Sequence, residues 1–299
     1  MDVASSSVSG RTESSEGFEQ IQRILVAWMD TREEQLQNIL GRQVLPTDDL
    51  SALQGLIDGY TGALASRAAF IPTNPLIDTE DAELRERLDG IAKRPDILGA
   101  LAGLAWRPAV IDLRAVLAFQ KAVRVDDLSA RVTPALASNE QLLELCFPSS
   151  LSLDLSWERN DTGYTIISSN PNFTVAPAQF PPDQVPMMNG MAVFPFVVIP
   201  NLNCFMVAHY RDRYFIRDGY HRAVGFLKEG KPIVPCVLVE ANSLNQIGWR
   251  PGMIREEILF GERPPRLVDF WEDEVSRSLT IYSQAKRKAF RALVDNFLI

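Results

Sequence analysis

The stretch RYFIRDGYHRAVGFLKEGKPIVPCVLVE, Arg213 to Glu240, decides how the rest of the chain is read. Tyr214 to Arg217 has the composition of a short strand. Asp218-Gly219 interrupts it, and a short helix starts near Tyr220. Gly230 is the expected end of that helix, with Pro232 as a stop signal behind it. Pro235 to Glu240 is then an apolar, β-branched run that reads as a second strand. The order is strand, tight turn, helix, strand.

The turn concentrates chemistry. Gly219 lets the backbone leave the strand in a conformation that other residues resist. A helix that begins just after it presents unpaired backbone N–H groups and the positive end of its dipole, a setting that favours a phosphate. Arg222, in the first turn, can fork onto such a group. Gly219, Tyr220 and Arg222 are therefore the candidate phosphate- or nucleotide-binding residues. Asp218 and His221 are the candidate catalytic pair. His221 can act as acid or base near neutral pH. Asp218 can cap the helix, share a Mg²⁺ with ligand phosphates, or serve as a base. Purely structural readings stand beside these: Asp218 as a helix cap, His221 as a packed histidine, Arg222 paired to an acidic neighbour.

Working outward, the first half reads as helix. Phe18, Ile21, Ile24, Leu25 and Trp28 recur at helical spacing, as do Leu50, Leu53, Ile57, Tyr60 and Leu64. Helices are also expected over Thr79–Ala92, Ile97–Ala105, Ala109–Val123 and Glu140–Leu145. Near Pro148 the pattern changes to alternation, with Leu151, Leu153, Leu155 and Trp157 on one face and Tyr164–Ser168 as the hairpin partner. Ser169–Gly190 reads as a long loop whose Asn170, Pro171 and Asn172 are a candidate pocket lip. Phe205 to Tyr210 is another strand. A short helix is expected over Met253–Leu259, and Leu267 onward reads as helix again, with Lys286, Arg287 and Lys288 a small basic cluster. The expected organisation is a disordered tail over 1–17, a helical region over 18–147, an α+β domain over 148–263 and a helical extension over 264–299.

Composition narrows the function classes. A formal net charge of -8 argues against a general nucleic-acid binder. The three cysteines, Cys146, Cys204 and Cys236, are too scattered for a zinc site and read as buried thiols. With two histidines a His-rich metal centre is excluded. No apolar run approaches a membrane span, and the N-terminus lacks signal-peptide order, so a cytoplasmic protein is expected.

The order of strand, DGYHR turn, short helix, Gly, Pro and strand resembles the ParB/sulfiredoxin-like superfamily over roughly residues 190–245. That resemblance implies a mixed sheet in an α+β fold and a turn that binds nucleotide phosphates. Sulfiredoxins carry a nucleophilic cysteine immediately before the His-Arg pair; Tyr220 stands there, so sulfinic-acid reduction is not implied. The turn is similar to the Asp-Gly-His-His-Arg type of a free-serine kinase branch, with Asp218, Gly219, His221 and Arg222 matching and Tyr220 replacing one histidine. The expectation is a nucleotide- or phosphate-binding protein, with weak NTP hydrolysis or small-molecule phosphotransfer as its reaction and a nucleoside triphosphate with Mg²⁺ as cofactor. A non-catalytic scaffold that meets a protein partner through its N-terminal helices is the alternative, and DNA binding comes third.

Overall fold

The structure, a computed structural model, describes residues 18–29, 50–126, 128–149, 155–160, 163–168, 173–177, 187–188, 191–192, 196–200, 203–283 and 288–293. The expected tail over 1–17 and the lip of Asn170, Pro171 and Asn172 lie outside these residues, as do Lys286 and Arg287 of the basic cluster.

In chain order the strands are β1 (Phe18–Ile24), β2 (Ala105–Asp112), β3 (Ala122–Arg124), β4 (Leu155–Asn160), β5 (Gly163–Ser168), β6 (Phe173–Pro177), β7 (Met187–Met188), β8 (Met191–Ala192), β9 (Phe196–Pro200), β10 (Met206–Tyr210), β11 (Arg213–Asp218), β12 (Ile233–Glu240), β13 (Arg277–Ser283) and β14 (Lys288–Leu293). The α-helices are α1 (Leu50–Ser66), α2 (Ala82–Ile91), α3 (Pro95–Ala100), α4 (Leu128–Val132), α5 (Asn139–Cys146), α6 (Tyr220–Lys228), α7 (Leu244–Ile247) and α8 (Glu256–Leu259).

The protein is α+β, and its centre is a four-stranded mixed sheet in the order β11-β10-β12-β2. β10 and β11 form an antiparallel hairpin that turns at Arg211 and Asp212, both at positive φ. β12 lies parallel to β10, so the chain must cross over, and α6 is that crossover. Val234 to Val239 are all buried, which is why β12 reads as an unbroken apolar run rather than an alternating one. β2 closes the other edge, antiparallel to β12 from Ala105 to Asp112. This sheet therefore joins a strand from the first half of the chain to strands from the second.

A three-stranded sheet, β13-β1-β3, brings the first described strand beside a late one, and a second sheet, β14-β5-β4, contains the expected hairpin from Leu155 to Ser168, its Leu151 and Leu153 lying outside the described residues. The pairs β6-β9 and β7-β8 are also antiparallel.

Several expected helices are strands instead. β1 replaces the helix read from Phe18, because the strand buries Gln20 and Arg23 and leaves Ile21 45% exposed. Arg23 is held inside by the Phe270 carbonyl, Ser276, Ser278 and Asp273. Gln20 and Arg23 lie on opposite faces of the strand and Ile24 is buried beside Arg23, so burial follows no two-residue alternation of apolar side chains. β2, a 3-10 turn over Leu113–Ala115 and β3 replace the helix expected over Ala109–Val123. Val110 and Ile111 are buried in succession because Ile111 is flanked by Leu76 on one side and Val234 on the other. In the expected helical extension, a 3-10 turn over Leu267–Trp271 is followed by β13 and β14, and strand β6 and the short β7 fall within the expected long loop. Among the described residues no helix is long and apolar enough to cross a membrane.

α6 sits where three packed surfaces meet. Phe226 stacks edge-on with Phe205 at 6.0 Å, and the Trp271 indole donates to the Val224 carbonyl at 3.0 Å. Gly225 faces α4 so closely that a β-carbon there would come within 2.7 Å of Val132. Gly230, at positive φ, ends the helix with Lys231 N–H returning to the Phe226 carbonyl at 2.8 Å, as its position before Pro232 implies.

Candidate functional site

β11 ends at Asp218, and Gly219 turns the chain into α6 with φ 97°. A side chain at Gly219 is excluded twice, by that left-handed conformation and by Phe205, whose ring would be 2.6 Å from a β-carbon. The helix opens with the Ala223 N–H bonding the Gly219 carbonyl at 2.9 Å, and no side chain caps it. The residues of its first turn line a cleft of about 550 Å³, formed by Asp218, Gly219, Tyr220, His221 and Arg222 together with Gln120, Glu144, Leu145 and Asn203. All five residues singled out from the sequence meet at this cleft.

They do not all meet it in the same way. The Tyr220 phenol turns inward, is 3% exposed, and accepts hydrogen bonds from the Phe119 N–H at 2.8 Å and the Gln120 N–H at 3.2 Å. Phe119 also packs edge-on against its ring at 5.7 Å. Burial pushes the phenol far above the usual tyrosine range, against the opposing pull of those two amides. Tyr220 therefore anchors the loop before β3, and only its backbone is available to a ligand. His221 is exposed at the cleft lining.

Arg222 has the most specific surroundings. Its Nη1 donates to the carbonyls of Leu145 and Asn203, both at 2.8 Å, and its Nη2 donates to Asn203 Oδ1 at 3.0 Å. The guanidinium carbon lies 5.7 Å from the centre of the Phe205 ring. Among the described residues no carboxylate comes within 4.0 Å of it, so neutral dipoles satisfy its hydrogen bonds without cancelling its charge. The expectation of an acidic neighbour in ion-pair contact is not met. Burial pulls the guanidinium below the usual arginine value, opposed by the Cys146 thiol, Asp218 and the Cys204 thiol.

Asp218 is not the helix cap; that position belongs to Gly219. Burial raises its carboxyl above the ordinary aspartate value, with Arg222, the Gly219 N–H and Arg217 pulling the other way. A half-buried carboxyl of this kind holds a proton more readily than a surface one. A β-bulge accompanies this placement: Met206 pairs with Asp218 and Val207 with Ile216, leaving Arg217 unmatched. Arg217 Nε is a buried nitrogen with no hydrogen-bond partner among the described residues.

Glu144 and Asn203 were invisible in the sequence. Glu144 lines the cleft from α5 while accepting from Ser149 N–H and Oγ at 2.9 and 3.0 Å. Neither carries a local motif, since both reach the cleft only when α5 and the lead into β10 pack together, joined by Phe205 N–H to the Cys146 carbonyl at 2.7 Å. Cys146, Cys204 and Cys236 are free and buried. Burial raises Cys146 to about 12 and Cys204 to about 11, with Arg222 opposing at both and Arg94 also at Cys204. Among the described residues no group of three His, Cys, Asp or Glu side chains could hold a metal ion. No family model, curated protein or solved structure matches the chain.

Proposed function

We propose that the protein binds a phosphate-bearing ligand of the nucleotide class in the cleft at the start of α6. One observation carries the reading: Arg222 is a half-buried cation in the first turn of a helix, and among the described residues no carboxylate lies within ion-pair distance of it. An uncompensated buried charge is costly, and an anion set against the first-turn amides and the guanidinium would compensate it. Asp218 and Glu144 are the cleft's carboxylates. Mg²⁺ characteristically takes one or two carboxylates plus ligand phosphates, so these two side chains are the candidates to share a metal with a polyphosphate. Slow hydrolysis or phosphotransfer would draw on Asp218 or His221 for the proton. The test is melting temperature against ATP, ADP, CTP and GTP, with and without Mg²⁺. At ligand a hundredfold above Kd, binding adds about 2.7 kcal/mol to the stability of the native state. Arg222→Ala removes that response. A wild-type protein that responds to none of them overturns the reading.

The scaffold reading draws on a different aspect of the same residues. Arg222 and the Tyr220 phenol tie the start of α6 to the end of α5, to the lead into β10 and to the loop before β3. Under that reading Arg222→Ala loses stability and no ligand response exists to lose.

A further inference from the structure

We propose that Asn203 is the positioning residue of this cleft, holding one end of the Arg222 guanidinium so that its other edge is presented to an anion. The inference rests on the phosphate reading above. A guanidinium carries five N–H groups in one plane. Both hydrogens of Nη1 go to backbone carbonyls, those of Leu145 and Asn203 at 2.8 Å each, and one hydrogen of Nη2 goes to Asn203 Oδ1 at 3.0 Å. Asn203 thus meets Nη1 with its backbone oxygen and Nη2 with its side-chain oxygen. It clasps the far end of the group as a carboxylate does, but without a charge.

Among the described residues, the groups left over are Nε–H and one N–H of Nη2. Together they form the side fork that matches two oxygens of a phosphate. Arg222 Nε is not among the sealed, partnerless nitrogens, in contrast to Arg217 Nε. Nη2 lies against the turn, where a β-carbon on Gly219 would stand 3.1 Å from it. The uncommitted edge therefore adjoins the point where the chain enters α6. An aspartate in place of Asn203 would make the same contacts and cancel the charge.

The experiment titrates inorganic pyrophosphate into the full-length wild type, Asn203→Asp and Asn203→Ala by calorimetry, and records the melting temperature of each. Asn203→Asp keeps or raises the melting temperature and weakens pyrophosphate binding about a hundredfold; Asn203→Ala lets the guanidinium turn and weakens it about tenfold. A residue that only supported the fold would lower both readouts together. Equal pyrophosphate affinity in the wild type and Asn203→Asp overturns the inference and leaves the phosphate reading standing. Should Asn203→Asp not fold, unchanged affinity in Asn203→Ala overturns it alone. A wild type that binds no pyrophosphate overturns both.

Discussion

Two arginine clusters in this protein solve the same problem differently. Under α1 and the Leu267–Trp271 turn, Arg67 and Arg266 both donate to Asp269 Oδ1 at 2.9 Å, and both reach Glu272. Asp269 is 0% exposed, and its second oxygen accepts the Arg266 N–H at 2.7 Å. Cations and carboxylates there alternate in one closed network. At the start of α6, Arg222 is held by oxygens of Leu145 and Asn203 and among the described residues meets no carboxylate within 4.0 Å. A network whose charges cancel internally needs nothing from outside and acts as structure. A half-buried cation held by neutral dipoles keeps its charge available, which is what distinguishes a binding group from a strut.

The comparison breaks first at Asp269. Asp269→Ala strands Arg67 and Arg266 together and should cost about 3–5 kcal/mol in urea unfolding at pH 7. A loss below about 1 kcal/mol would mean that the network is decorative. Gly219→Ala comes next, with an expected loss of about 2 kcal/mol from the left-handed backbone and the Phe205 contact, together with loss of any nucleotide response. Refolding the turn around a β-carbon with no change in stability would show that the cleft geometry is looser than described.

Asp218→Asn sharpens the contrast through pH. The folded-state pKa of Asp218 is raised by burial, so the stability linked to its protonated form is full below the ordinary carboxylate value and is lost as pH rises through the raised one. The variant should melt about 2 °C above the wild type at pH 7, with the gain vanishing below about pH 4. A variant less stable than the wild type at pH 7 would show that Asp218 compensates Arg222 after all. The smallest effect concerns the thiols. With Cys204 raised to about 11 and Cys146 to about 12, iodoacetamide at pH 8 should label neither while the protein is folded. Labelling of Cys204 in the native state would place an opening of the cleft within reach of solvent.

The parts of the fold that were legible share one property, which is contiguity. The strand, turn, helix and strand from Arg213 to Glu240 are neighbours in sequence, and so are the hairpin of β4 and β5 and the short helix α5. β1 was misread because its buried side chains include the polar Gln20 and Arg23, and the partners of Arg23 lie at Phe270 to Ser278. β13 and β14 were misread as helix: β13 pairs with β1 and β14 with β5, partners that local periodicity does not reveal. At the site, Asp218, Gly219, His221 and Arg222 were legible as a cluster, while Tyr220 was assigned to the ligand although its ring faces Phe119.

The sequence by itself determined that a glycine-broken strand enters a short helix with an arginine in its first turn. Backbone preferences at Gly219 and Gly230 and the apolar run of β12 act over a few residues and need no tertiary partner. Which groups satisfy that arginine was decided only in three dimensions. Leu145 and Asn203 lie 77 and 19 residues before it, and nothing local to Arg222 distinguishes a carbonyl partner from a carboxylate one. The physical difference between them is a full charge, and that charge separates a strut from a candidate binding site.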